Sequence, residues 1–157
     1  CLESFDLIEL SQEVVDQLEK SAYQKQVKLK LLNSKDKPIY AIGDYQRIYQ
    51  VIQNLMANSI NHAGSGAQAI IKITPLGEKV VFELFDNGIG IPKNDLSRIF
   101  ERFYRVDKSR SKGTGGSGLG LSIVKHIIES HESKINAKSS SKGTKFWFDL
   151  KIGTEPK

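Results

Sequence analysis

The sequence predicts an α/β protein, a two-layer α/β sandwich in which a mixed sheet carries about three helices on one face. Apolar residues recur three and four apart in some segments and alternate in short runs in others. The strand-like runs lie in the middle and at the end of the chain, interleaved with the helical ones. A length of 157 residues, with 39% hydrophobic and 26% charged side chains, is that of one packed domain, expected to span residues 1–157.

After Phe5 and Asp6, the spacing of Leu7, Val14, Val15, Leu18 and Ala22 predicts a first helix from Leu7 to about Lys25. Val27, Leu29 and Leu31 alternate with lysines, and Ile39 to Ile42 follow Pro38, so two short strands are expected next. Asp44 is positioned to cap a second helix whose core face is Ile48, Ile52, Leu55 and Met56 and which ends near Gly64. Ala69 to Ile73 and Val81 to Phe85 read as a hairpin joined by a turn from Pro75 to Lys79, with a loop opening at Asp86. From Ile91 to about Ser117 the pattern is irregular, apart from one short helix around Asp95 to Ile99. So long an irregular stretch suggests a lid. Leu119 to His131 is helical, and Lys134 to Ala137 and Thr144 to Ile152 are strand-like.

Cys1 is the only cysteine, which excludes an internal disulfide and a cysteine metal cluster and fits a reducing compartment. No apolar run approaches the roughly 20 residues that span a bilayer, and the start of the chain lacks the character of a signal peptide. A chain beginning at Cys1 and running at once into a patterned segment is expected to be a soluble fragment of something longer. The net charge is +5, with Arg102, Arg105, Lys108, Arg110 and Lys112 concentrated between Glu101 and Gly113. Without a nucleic-acid-reading motif, this cluster reads as a solvated loop, and no nucleic-acid partner is expected.

Three features carry chemistry. Gln50, Asn54, Asn58 and Asn61 fall on a helical stripe roughly 80° wide beside the apolar face. Asparagine is a poor helix former, so their accumulation asks for a purpose, and a carboxamide oxygen is a hard neutral ligand suited to Mg²⁺. His62 lies nearby. Second, Asp86-Asn-Gly-Ile-Gly-Ile-Pro92 places a carboxylate at the end of an apolar strand, where it can accept a hydrogen bond from an exocyclic amine such as that of adenine. Third, Gly113-Thr-Gly-Gly-Ser-Gly-Leu-Gly120 leads into a helix, whose free N–H groups and positive dipole end suit phosphate. The basic segment before it, where a strand should stand, argues against a dinucleotide fingerprint, and the P-loop and eukaryotic protein-kinase patterns are absent.

Together, the asparagine helix, Asp86-x-Gly88-x-Gly90, the pair Phe100 and Phe103, and Gly116-x-Gly118-x-Gly120 resemble the N, G1, F and G2 boxes of the sensor histidine kinases of bacterial two-component systems. The resemblance runs from about Phe5 to Leu150. It implies the Bergerat ATP-binding fold with a flexible ATP lid at about 101–117, and ATP and Mg²⁺ as cofactors. It implies that Asn58 holds Mg²⁺, that Asn54 lies near the phosphates, that Asp86 binds the adenine amine and that Arg105 reaches the γ-phosphate. Phe100 and Phe103 would anchor the lid, and Gly116, Ser117, Gly118, Leu119 and Gly120 would enclose the phosphates. The nucleotide-binding set is completed by Asn61, His62, Gly88, Gly90, Ile91, Tyr104, Leu121 and Thr144.

The implied reaction is transfer of the γ-phosphoryl group of ATP to a histidine on a separate dimerisation and phosphoacceptor domain, with a response regulator as indirect partner. The full-length protein would be a homodimer, with this part a cytoplasmic domain of a membrane-anchored protein. Superfamily ATPases such as MutL, gyrase and heat-shock chaperones carry a glutamate base where this chain has Asn54, and an amide cannot take a proton from water. A non-catalytic nucleotide-binding module and an ATPase of the same superfamily are the alternatives. The chain departs from the family pattern at Asn61, often Lys or Arg, at His62, often Tyr or Phe, and at Glu132-Ser133, commonly Gly-Gly, where only a turn is expected to change. The pair His131-Glu132 reads as a coincidence rather than as a phosphoacceptor.

Overall fold

A computed structural model describes residues 1–33, 37–104 and 120–156. Its elements are β1 (Glu3–Asp6), α1 (Leu7–Gln24), β2 (Lys28–Leu31), β3 (Tyr40–Gly43), α2 (Tyr45–His62), β4 (Gln68–Leu76), β5 (Lys79–Asp86), α3 (Lys93–Leu96), α4 (Gly120–Ser130), β6 (Asn136–Ser140) and β7 (Gly143–Ile152). The strands form one mixed sheet in the order β1-β3-β7-β5-β4-β2, with β6 joining β7. The pair β2 and β4 is parallel, and the remaining pairs are antiparallel.

Alternation decides which face of the sheet is covered. In β5, Val80, Phe82 and Leu84 are buried, and across the ladder they meet Leu150, Phe148 and Phe146 of β7. The rings of Phe82 and Phe148 stack with centroids 5.1 Å apart. These side chains share one core with Leu10 and Val14 of α1, Ile48, Ile52, Leu55 and Met56 of α2, and Val124 and Ile128 of α4. Truncating such a ring to alanine costs about 3–5 kcal/mol. Out of phase with them, Lys72, Glu83, Lys145 and Trp147 line the open face of the sheet.

The long helices start where the sequence signals them. Asp6 accepts a hydrogen bond from the Ile8 N–H at 3.0 Å, and Asp44 from the Arg47 N–H at 3.3 Å. Each such cap contributes about 1 kcal/mol. The expected hairpin is present with a tighter turn, since Leu76 pairs with Lys79 and only Gly77 and Glu78 lie between. β1 has no counterpart in the sequence reading. It is four residues long and pairs with β3 alone.

The turn after α4 holds more than expected. Glu132 adopts φ 59°, a left-handed conformation that glycine enters without the roughly 1 kcal/mol cost of a side chain. Ser133, however, does what glycine could not. Its Oγ donates to Asp149 Oδ1 at 3.0 Å and accepts from the Asp149 N–H at 3.4 Å, tying the turn to β7.

Candidate functional site

At the C-terminal end of β5, Asp86 is the one buried charged side chain among the described residues, with 5% of its surface exposed. Its Oδ2 accepts from the Ser59 hydroxyl at 3.1 Å and its Oδ1 from the Gly88 N–H at 3.1 Å. Burial pushes its pKa above the ordinary carboxylate value, while the Gly88 N–H, the Ser59 hydroxyl, the Thr144 N–H and His62 oppose the shift. Three donors leave the carboxylate with acceptor capacity for one more.

The loop after Asp86 is bolted to the end of α2. The Ile89 N–H donates to the Ala63 carbonyl at 3.1 Å. A Cβ on Gly88 would lie 2.3 Å from that same carbonyl oxygen, so only glycine allows this approach. Asn58, His62, Ala63, Asp86, Gly90, Ile91 and Thr144 thereby line one cleft. Thr144 faces Asp86 in the β5–β7 ladder, and its hydroxyl lies 3.0 Å from Ser139 Oγ, which also accepts the Ile91 N–H at 2.6 Å.

The asparagine stripe is half-buried at Asn54, Asn58 and Asn61 and exposed at Gln50. Asn54 Nδ2 donates to the Gly120 carbonyl at 3.3 Å, joining α2 to the first residue of α4. Asn58 makes no hydrogen bond to any described residue and lines the cleft beside Asp86. An unpartnered neutral oxygen donor there fits Mg²⁺, whose remaining positions are usually filled by water and phosphate. His62 stands exposed at the rim. Surrounding protein pushes its pKa down, Lys25 adds to this and Asp86 opposes it, but solvent at the exposed ring keeps the push modest.

The phenylalanine pair divides. Phe100 is half-buried and meets Phe146 edge-on with centroids 6.2 Å apart. Phe103 is 63% exposed at φ 63°, with the Arg102 guanidinium carbon 5.5 Å from its ring centroid. Tyr104 donates its hydroxyl hydrogen bond to Asp95 Oδ1, which raises the phenol pKa, and its ring carries Arg98 4.5 Å from the centroid. Leu121 packs against the core from α4. Arg105, Gly116, Ser117, Gly118 and Leu119, and the expected lid beyond Tyr104, lie outside the described residues.

Ser59 and Ser139 escaped the sequence reading. Ser59 did leave a signal, as a hydroxyl on the apolar stripe four residues after Leu55 and seven after Ile52. Ser139 left none, because its role depends on β6 pairing with β7. The larger concavity of ≈ 440 Å³ on the open sheet face is lined by none of the residues expected at the site.

A half-covered mixed sheet with a buried acid at a strand end, beside a helix that carries a stripe of carboxamides, defines a class of nucleotide-binding domains. The profile of the histidine kinase-, DNA gyrase B- and HSP90-like ATPases matches residues 43–154, and the chain belongs to that family. It is 38% identical over 162 residues to drug sensory protein A of Synechocystis, covering 96% of this chain and 24% of that protein. It is 42% identical over 115 residues to the sensor-like histidine kinase SenX3 of Mycolicibacterium smegmatis, covering 73% of this chain and 30% of that one. The solved catalytic domain of the histidine kinase ThkA superposes with a TM-score of 0.81 at 27% identity, covering 96% of this chain and 95% of that one. ThkA in complex with the response regulator protein TrrA matches at a TM-score of 0.78 and 26% identity, over 97% of this chain and 42% of that one. The chain thus corresponds to the ATP-binding catalytic part of sensor histidine kinases and spans about a quarter to a third of these curated relatives' length.

Proposed function

We propose that this domain binds Mg-ATP and transfers its γ-phosphoryl group to a histidine on a separate dimerisation domain, in two-component signal transduction. The observation that carries the reading is Asp86, buried and held by Ser59 and Gly88 with acceptor capacity left over, in one cleft with the carboxamide of Asn58, which makes no hydrogen bond to a described residue. Asp86 would receive the adenine amine, and its fixed partners spare the site the cost of ordering it at binding.

Asn58 would hold Mg²⁺, which would supply charge neutralisation for the phosphates. Asn54 has an amide where a water-activating enzyme needs a base, and its Nδ2 is already engaged with Gly120. This chain therefore orients the nucleotide and leaves the nucleophile to be supplied from outside. Phosphoryl transfer demands mostly such positioning and charge neutralisation.

The full-length protein would act as a homodimer, pass the phosphoryl group on to a response regulator and reach the membrane through other segments. The ThkA complex supports the regulator as partner. Among the described residues no helix is long and apolar enough to cross a membrane. Mixing the domain with a separately produced dimerisation and phosphoacceptor domain and radiolabelled ATP should label that domain's histidine, while steady-state hydrolysis by this domain alone stays slow. Nucleotide binding without any transfer would favour the non-catalytic module, and rapid hydrolysis the ATPase.

A further inference from the structure

His131 is the first residue beyond α4, and its imidazole bridges two helices. Nδ1 lies 2.8 Å from the Ile127 carbonyl oxygen, and Nε2 lies 3.0 Å from the Asp44 nitrogen. A carbonyl only accepts and a backbone N–H only donates, so Nδ1 carries the proton and Nε2 the accepting lone pair. The ring rests on Gly43, where a Cβ would stand 3.2 Å from both Cδ2 and Nε2 and 3.3 Å from Ile48 Cγ1. A side chain at Gly43 would therefore crowd the ring. Asp44 is the residue that caps α2.

The contact matters because of what lies at the other end of the same two helices. α2 and α4 run antiparallel, joined at one end by Asn54 to Gly120 and at the other by Asp44 to His131. Ten helical rises separate Asp44 from Asn54 and eleven separate Gly120 from His131, about 15 and 16 Å, so the two pins are commensurate. Between them the contact is apolar, with Ile48 and Ile52 on one helix and Val124, Ile127 and Ile128 on the other, all buried. Apolar packing is non-directional and tolerates axial sliding better than hydrogen bonds do.

From this geometry we infer that His131 is a positioning residue: its imidazole sets the axial register of α4 against α2, and so places the Gly120 end of α4 beside Asn54. The inference rests on the reading of that end as the phosphate side of a nucleotide site. It gives His131 a role that neither its dipeptide with Glu132 nor its position suggested.

Two conservative variants separate the bonds. A glutamine at 131 can put its amide oxygen where Nε2 stands and keep the bond to Asp44. An asparagine reaches only the Nδ1 position and keeps the bond to Ile127. The measurement is Mg-ADP affinity by calorimetry together with the Gly120 amide and Asn54 side-chain resonances of the nucleotide-free domain. His131→Asn and His131→Ala should weaken affinity 5- to 10-fold and shift both resonances, His131→Gln should stay within 2-fold of wild type, and Gly43→Ala should reproduce the loss with the histidine present. Val15→Ala, a core change in α1, is the stability control and should leave affinity unchanged. Equal affinity across folded variants, equal loss in Gln and Asn, or an equal loss in Val15→Ala would overturn the role of His131 while leaving the nucleotide reading intact. Wild-type protein that binds no Mg-ADP would overturn both.

Discussion

The two ends of the cleft are built on opposite principles. At the Asp86 end the functional group is buried, and Ser59 and Gly88 hold both of its oxygens before any ligand arrives. At the Asn58 end the functional amide is half-buried and makes no hydrogen bond to a described residue. A base of fixed shape rewards a preorganised acceptor, whereas a metal with its waters and phosphates rewards ligands left free. The first end should therefore govern whether nucleotide binds, and the second how Mg²⁺ modulates it.

The largest expected effect is at Asp86. Asp86→Asn should weaken ADP binding about 100-fold by calorimetry, because the amide turns an acceptor toward the adenine amine into a donor or loses its charge-assisted bond. The fold should survive, since the Asn oxygen can still accept the Gly88 N–H and its nitrogen can donate to Ser59. Burial raises the folded pKa of Asp86 above its unfolded value, so its contribution to stability is present below the unfolded pKa and is lost as pH rises through the folded one. Chemical denaturation across that acid window should show wild type losing stability relative to Asp86→Asn as pH increases. Unchanged affinity in Asp86→Asn would falsify the adenine assignment.

Next comes the phenylalanine pair. Phe100→Ala should lower unfolding free energy by about 2 kcal/mol, since it empties a half-buried site against Phe146. Phe103→Ala, at an exposed position, should change it by less than about 0.5 kcal/mol. Equal losses measured by denaturant unfolding would erase the contrast between the two rings.

Asn58→Ala should weaken nucleotide binding about 10-fold in Mg²⁺ and leave it unchanged in EDTA. A loss of the same size with and without metal would move Asn58 from the metal to the nucleotide. The smallest effect belongs to Ser59→Ala, which removes one of the donors to Asp86 and should cost only about 3-fold in ADP affinity, read by the same titration.

Much of this architecture was legible in the chain itself. Helical periodicity placed α1 and α2 to within a residue or two, Asp44 caps α2 as expected, and the alternation of Ala69, Ile71 and Ile73 marked the covered face of β4, whereas in β5 the buried phase is Val80, Phe82 and Leu84 rather than Val81 and Phe85. The residue types along the asparagine stripe and at Asp86 announced their chemistry, because helical spacing and strand ends are properties of a few neighbouring residues. Tertiary structure alone decided the rest. Nothing local says that β1 pairs with β3, that Ser59 meets Asp86 across 27 residues, that Phe100 turns inward and Phe103 outward, or that His131 reaches Asp44 across 87. Periodicity records which side of an element is apolar. Which polar group lies opposite depends on how the elements are laid against each other, and that becomes defined only when the chain closes around its core.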